Sequence, residues 1–277
     1  MAVYVGTSGW QYQSWRGRFY PKPLKQALWL EYFAERFRTV EVNNTFYRLP
    51  ERDVFEKWSE RTPDDFVIAP KMSRYLTHIK RLREPEEPVA RFLDRAAPLG
   101  RKLGPVLIQL PPQLGIDMER LEGLVGILPG HVRWAVEFRH PSWFVDEVRD
   151  FLADNNIALC LADRGSRPIT PIWKTSDWGY VRLHGGTGSP ESCYGRSALR
   201  GWARRLCDLW TSGDDVFVYF NNDTGGCAVR DARVMAAFVA HAGYEPTRVP
   251  GTHEVSLDAG AIRDVSGGWP QRSRRAS

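Results

Sequence analysis

The stretch TVEVNNTFYRLP, Thr39 to Pro50, opens with β-branched residues alternating against polar ones and runs into a carboxylate and two amides. Side chains along a strand point to opposite faces in turn, so Val40 and Val42 share one face and Thr39, Glu41 and Asn43 the other. The apolar face packs on helices, which leaves the polar face to line an enclosed space. WAVEFR, from Trp134, divides in the same way, with Val136 and Phe138 against Glu137 and Arg139. YVRLH, from Tyr180, sets Val181 and Leu183 against Arg182 and His184. Strands that end alike in this manner point to a fold that gathers strand ends around one centre.

Working outward, the remaining strand-like runs are VYVG at Val3, FVIAPK at Phe66, PVLIQL at Pro105, IALCLAD at Ile157 and VFVYFN at Val216. Between the runs, apolar residues fall at helical spacing: Leu30, Phe33, Ala34 and Phe37, then Val89, Phe92, Leu93 and Ala96, and later Ala232, Met235, Ala236 and Val239. Met118 to Leu128, Val145 to Leu152 and Ala198 to Trp210 also read as helices. The connection RGSRPITPIWKTSD has two prolines and no apolar stripe, so it reads as a loop. Strands and helices in alternation predict a single (β/α)8 TIM-type barrel over residues 1–242. An open doubly wound sheet is the competitor, and no GxGxxG follows the first strand to support it. After Ala242 periodicity gives way to Gly, Pro, Ser and Arg, which predicts a loosely structured tail over 243–277.

In a barrel of this class, chemistry belongs to the C-terminal ends of the strands, where loops vary without disturbing the packing below. The last inward positions read as Glu41 and Asn43, Lys71, Gln109, Glu137 and Arg139, Asp163, Arg182 and His184, and Asn221. Glu41, Glu137, His184 and Asp163 are the proton-transfer candidates, because neighbouring carboxylates and an imidazole divide acid and base roles when their surroundings separate their pKa values. Asn43, Lys71, His78, Gln109, Arg139, Arg182, Asn221 and Trp10 are the candidates for holding substrate, with Lys71, Arg139 and Arg182 suited to a phosphate or carboxylate. The bland alternative is a set of structural ion pairs, Glu41 or Glu137 against Arg182. A divalent metal is the weaker reading. Glu41, Glu137, Asp163, His184 and His78 offer oxygen and nitrogen donors, but three cations in the same ring repel a fourth. No motif for an organic cofactor is present, and no cofactor is assigned.

The motifs GTSGWQYQSWRGRFYP, TVEVNNTFYRLP, KMSRYLTH, LIQLPP, EFRHPSW, YVRLHG and YFNN occur in order between Val3 and about Ala240. Together they resemble the YecE-like family, domain of unknown function 72. The resemblance implies a TIM-type barrel similar in shape to the xylose isomerase and apurinic endonuclease superfamily, whose enzymes look like metal users, and it implies no established reaction. The chain departs from the family's usual Asn at Asp231, which the periodicity places on the last helix.

The loop SGWQYQSWRGRFYPKPL sets Trp10, Tyr12, Trp15, Phe19 and Tyr20 beside Arg16 and Arg18. A buried aromatic lid is the preferred reading and a base-stacking platform the second. The net charge of +5 and pI near 9.1 permit a polyanion, but the excess is thin and sits partly in QRSRRAS at the end. The expected partner is therefore a small anionic or sugar-like ligand, with nucleic acid as the alternative. Hydrolysis, isomerisation and elimination all suit these groups. No apolar run of membrane-spanning length and no leader pattern occurs, so no membrane is expected and the location reads as cytoplasmic. Cys160, Cys193, Cys207 and Cys227 share no metal or disulfide spacing and read as reduced thiols.

Overall fold

The structure, a computed structural model, describes residues 2–188, 192–211 and 213–255. Its strands in chain order are β1 (Ala2–Ser8), β2 (Thr39–Val42), β3 (Val67–Pro70), β4 (Val106–Gln109), β5 (Trp134–Glu137), β6 (Ala158–Arg164), β7 (Arg167–Pro168), β8 (Gly179–Leu183), β9 (Asp215–Phe220) and β10 (Glu245–Pro246). All but the two-residue β7 and β10 form a parallel sheet in the order β3-β2-β1-β9-β8-β6-β5-β4. The sheet curls until its ends meet. Closure between β3 and β4 is by isolated bridges, Ile68 with Leu103 and Lys71 with Leu107, so one seam of the barrel is only lightly laddered.

The helices are α1 (Trp29–Arg36), α2 (Asn44–Tyr47), α3 (Arg52–Glu60), α4 (Glu86–Ala96), α5 (Met118–Val125), α6 (Asp146–Asp154), α7 (Arg196–Leu209) and α8 (Cys227–His241). Local chemistry starts several of them. Glu86 and Glu87 lie in the first turn of α4, where carboxylates offset the helix dipole, and Asp117 caps α5 by accepting from the Arg120 amide at 3.2 Å. Each long helix turns its apolar stripe to the sheet, as Leu30, Phe33 and Ala34 of α1 and Val89, Phe92 and Ala96 of α4 do.

Two cores result from strand alternation. Val3, Val5, Val40, Val42, Val136, Leu159, Leu161, Val181, Leu183, Val216 and Val218 belong to the outer core with the helices. Ala69, Leu107, Ala135, Ala158, Cys160, Trp178, Tyr180, Phe217 and Tyr219 fill the barrel itself. Gly6, in phase with Tyr4, faces that interior, and a Cβ there would lie 2.5 Å from the Thr39 carbonyl, so β1 can approach β2 only without a side chain.

The sixth connection is the loop the prolines predict. It pairs briefly with β6 through β7, and then Thr170 and Thr175 accept from the Ala162 and Leu159 amides at 3.0 and 2.7 Å. Two hydroxyls thereby satisfy β6 backbone groups.

The cysteine expectation is corrected. Cys193 and Cys227 form a disulfide that joins the β8–α7 loop to the start of α8 across 34 residues of sequence, while Cys160 and Cys207 are buried thiols outside it. The partners are brought together by the fold, which is why no spacing motif announces them, and the cysteines no longer argue for a reducing compartment. Order also continues past Ala242. Glu245 and Pro246 pair with Ala2 and Val3, and Arg248 reaches Asp65 at 2.5 Å. Residues 256–277 of the expected tail lie outside the described residues. No helix among the described residues is long and apolar enough to cross a membrane.

Candidate functional site at the barrel mouth

Arg182 on β8 is buried inside the barrel and holds two carboxylates at once. Its Nη2 and Nε donate to Glu41 Oε1 of β2 at 2.8 and 3.2 Å, and its Nη1 donates to Glu137 Oε2 of β5 at 2.6 Å. Tyr180, two residues earlier on the same face, donates its hydroxyl to Glu41 Oε2 at 2.6 Å. Below Glu137, the Cys160 thiol donates to Oε2 at 3.9 Å.

Above this layer, Arg139 Nη2 pairs with Glu137 Oε1 at 2.5 Å and approaches His184 Nε2 at 3.4 Å. His184 Nε2 also lies 3.3 Å from Glu137 Oε1, and the Asn221 amide nitrogen reaches Nδ1 at 3.1 Å. With Asn221 donating to Nδ1, the imidazole keeps its proton on Nε2 and directs it at the carboxylate. Asn43 Oδ1 accepts from Arg182 at 3.5 Å. Across the lightly laddered seam, Lys71 Nζ donates to Gln109 Oε1 and lies 3.9 Å from the centroid of the Phe46 ring. His78 stands edge-on to the same ring at 4.9 Å and bonds the Thr77 hydroxyl at 2.9 Å.

The electrostatics follow from these contacts. Burial works to raise both glutamates. For Glu41 the Arg182 guanidinium and the Tyr180 hydroxyl outweigh it, and for Glu137 Arg182, His184 and Arg139 do so by a wide margin. Both carboxyls are therefore held below their usual range and are ionised. Burial pulls His184 down, with Glu137 only partly restoring it, so it is neutral at pH 7. His78 is lowered to about 4 by burial and by Lys71. Lys71 is lowered to about 8 by burial, with Arg182 adding to the shift.

Most of the expected ring is thus assembled: Glu41, Asn43, Lys71, Gln109, Glu137, Arg139, Arg182, His184 and Asn221 meet at the mouth, with His78 at its rim. Asp163 is a correction. It is in phase with Leu159 and Leu161, so its carboxylate leaves the barrel and accepts from Tyr194 Oη and Trp202 Nε1, each at 2.8 Å. The inward residues of β6 are Ala158, Cys160 and Ala162. Trp10 is also corrected, since it is buried in the outer core edge-on to Trp58 of α3. Trp15, Phe19 and Tyr20 are buried too, and Tyr12 is half-buried. Arg16 and Arg18 donate to the carbonyls of Lys22, Leu24 and Gly225, so no open stacking platform exists there.

Two tyrosines near the ring were not assigned to it from the sequence: Tyr180 was left out, and Tyr12 was read only as part of the aromatic lid. Tyr180 could have been found, because alternation puts it in phase with Arg182. Tyr12, whose hydroxyl donates to the Ser8 carbonyl at 2.5 Å, is raised by burial and by nearby Asp223 and Glu41, and it reaches this place only through a turn at Gly9 (φ +104°). Among the described residues no group of three or more His, Cys, Asp and Glu side chains is placed to hold a metal ion. Arg182 stands between the two carboxylates where a cation would bind, so the residues present do not fit one.

A family model described as "Protein of unknown function DUF72" matches residues 4–254. The chain belongs to the DUF72 family. Among curated DUF72 relatives, UPF0759 protein YecE of Escherichia coli (strain K12) is 33% identical over 143 residues, covering 51% of this chain and 50% of YecE. The aligned segment is thus about half the length of that relative. UPF0759 protein YunF of Bacillus subtilis (strain 168) is 25% identical over 89% of this chain and 99% of its own. A crystal structure of a DUF72 family protein from Thermotoga maritima MSB8 superposes with a TM-score of 0.76 at 29% identity, covering 87% of this chain and 100% of that one. A second DUF72 structure, from Enterococcus faecalis V583, has a TM-score of 0.70 at 20% identity over 86% and 95%, and that likeness concerns the fold. Asp231, the departure from the family pattern, lies on α8 and accepts from the Tyr194 amide and Asn222 Nδ2, each at 2.8 Å, away from the ring.

Proposed function

We propose that this DUF72 protein binds a small anionic molecule, a sugar phosphate or sugar acid, at the barrel mouth and moves a proton on it. The observation that carries the reading is the charge count. Arg182 is shared between two carboxylates and Arg139 leans on one of them, which leaves Lys71 with a neutral acceptor only. Three cations face two anions, and a buried excess charge is costly unless a ligand meets it.

In this reading Lys71 and Arg139 hold the anionic group, while Asn43, Gln109 and Asn221 orient hydroxyls. Glu41 and Glu137, both ionised, accept protons rather than donate them. Held as low as they are, they are weak bases. A ligand anion that draws Arg139 away from Glu137 removes part of what keeps that carboxyl low and raises its proton affinity, with His184 beside it to pass the proton on.

The test is thermal stability against a panel of sugar phosphates and sugar acids. At ten times its dissociation constant a ligand adds about 1.4 kcal/mol, or about 2–3 °C in a chain of this size. The expected result is such a shift with at least one compound, lost in Lys71→Met. No shift with any of them, or a shift that survives Lys71→Met, would overturn the reading. Binding of duplex DNA with a steep salt dependence would instead favour the nucleic-acid alternative.

A further inference from the structure

Lys71 differs from the other lysines whose contacts are defined. Lys57, Lys80 and Lys174 pair with Asp53, Glu84 and Asp214, and Lys102 donates to the carbonyls of Ser59 and Thr62. Lys22 and Lys25 are exposed. Lys71 is 7% exposed, ends an inward-facing strand, and among the described residues has no carboxylate as an ion-pair partner. One face of its ammonium lies against Phe46 and one proton goes to Gln109. Both contacts suit the ammonium, but neither supplies the negative charge that a buried cation needs, and burial beside two guanidiniums works against it.

We infer that Lys71 is a covalent amine that condenses with the carbonyl carbon of an anionic ketone or aldehyde to form an imine at the barrel mouth. The inference rests on the anion-binding reading above and names the substrate class for that site: Lys71 meets the ligand first as a cation and then bonds its carbonyl carbon, which leaves Arg139 to hold the anionic group. The groups facing Lys71 support it. Burial and the guanidinium of Arg182, with Arg139 behind it, disfavour the ammonium, and Glu41 and Glu137 only partly offset them. His78 across the Phe46 ring is neutral at pH 7 and adds no charge of either sign. With a pKa of about 8, roughly a tenth of Lys71 is free amine at pH 7, against about one part in 2,500 for an ordinary lysine.

The chemistry balances without an added oxidant or reductant. The amine nitrogen forms a bond to the carbonyl carbon and the carbonyl oxygen takes up a proton, giving a carbinolamine. A second proton, taken from solvent, lets that hydroxyl leave as water while the nitrogen lone pair closes the C=N bond, and the N–H that the nitrogen keeps makes the product an iminium. The iminium withdraws electrons from the neighbouring carbon and acidifies its C–H bond. Glu41 and Glu137 then face a proton that a weak base can remove, which reconciles their low proton affinity with a role in proton transfer.

The experiment incubates the protein at pH 7.5 with sodium cyanoborohydride and either dihydroxyacetone phosphate or pyruvate, then maps adducts by peptide mass spectrometry. The expected result is a dominant reduced adduct on Lys71 with at least one of the two, suppressed by inorganic phosphate and absent in Lys71→Arg. Adducts spread over Lys22, Lys25 and other exposed lysines, with Lys71 unlabelled for both compounds, would overturn the imine. Thermal stabilisation by inorganic phosphate, measured in parallel, separates the two ideas. Stabilisation without labelling removes the imine and leaves the anion site, and loss of both removes both. The wild-type map decides the matter even where Lys71→Arg does not fold.

Discussion

At Arg182 one guanidinium pairs with two fully buried carboxylates, and removing it leaves Glu41 with no cation and Glu137 with Arg139 alone. Arg182→Met should therefore lower unfolding stability by about 3–5 kcal/mol in denaturant titration, and a loss below about 1 kcal/mol would contradict the account. Lys71 makes the opposite prediction. Its folded pKa, about 8, lies below the unfolded value, so between the two the unfolded chain binds more protons and stability rises with pH. Relative to Lys71→Met, the wild type should gain on the order of 3 kcal/mol between pH 7 and about pH 10.4. A flat difference across that window would mean the amine is not held down. For Glu41 and Glu137 the folded pKa is depressed, so their contribution is present above about pH 4.3 and is lost as pH falls below it.

These residues were legible in the sequence wherever strand phase was clear. In YVRLH and TVEVN, valine and leucine mark the outward face unambiguously, so Arg182, His184, Glu41 and Asn43 fall into place. In IALCLAD the inward residues are small and apolar, Ala158, Cys160 and Ala162, and the outward ones are apolar as well. With both faces apolar, nothing in the stretch separates them, and Asp163 was placed on the wrong side.

At the scale of elements, Asp163 is a joint between β6 and the α7 side of the barrel through Tyr194 and Trp202. Asp163→Ala should cost about 2–4 kcal/mol by leaving two buried donors unmet, while phosphate binding at the mouth stays intact. Loss of phosphate binding with unchanged stability would reverse this assignment. The Cys193–Cys227 bond ties the β8–α7 loop to α8. Under denaturing conditions two thiols should react without reductant and four after reduction, and reduction should lower stability by about 3 kcal/mol. Four reactive thiols without reductant would remove the bond from the account. That pairing could not be read from the sequence, because it depends on two loops converging across 34 residues.

At the scale of the whole molecule, the barrel was legible because the strands are short, most are one-sided, and each is followed by a helix or a proline-rich loop. The light seam between β3 and β4 was not, since closure depends on how the sheet curls rather than on any one segment. That seam is where Lys71 and Gln109 meet, and the central claim is that the mouth there receives an anion. The most direct test is a crystal structure of the protein grown with saturating dihydroxyacetone phosphate. The account predicts the phosphate within hydrogen-bonding distance of Arg139 and the carbonyl carbon at, or bonded to, Lys71 Nζ. An empty mouth at saturating ligand, or a ligand bound away from Lys71 and Arg139, would contradict it.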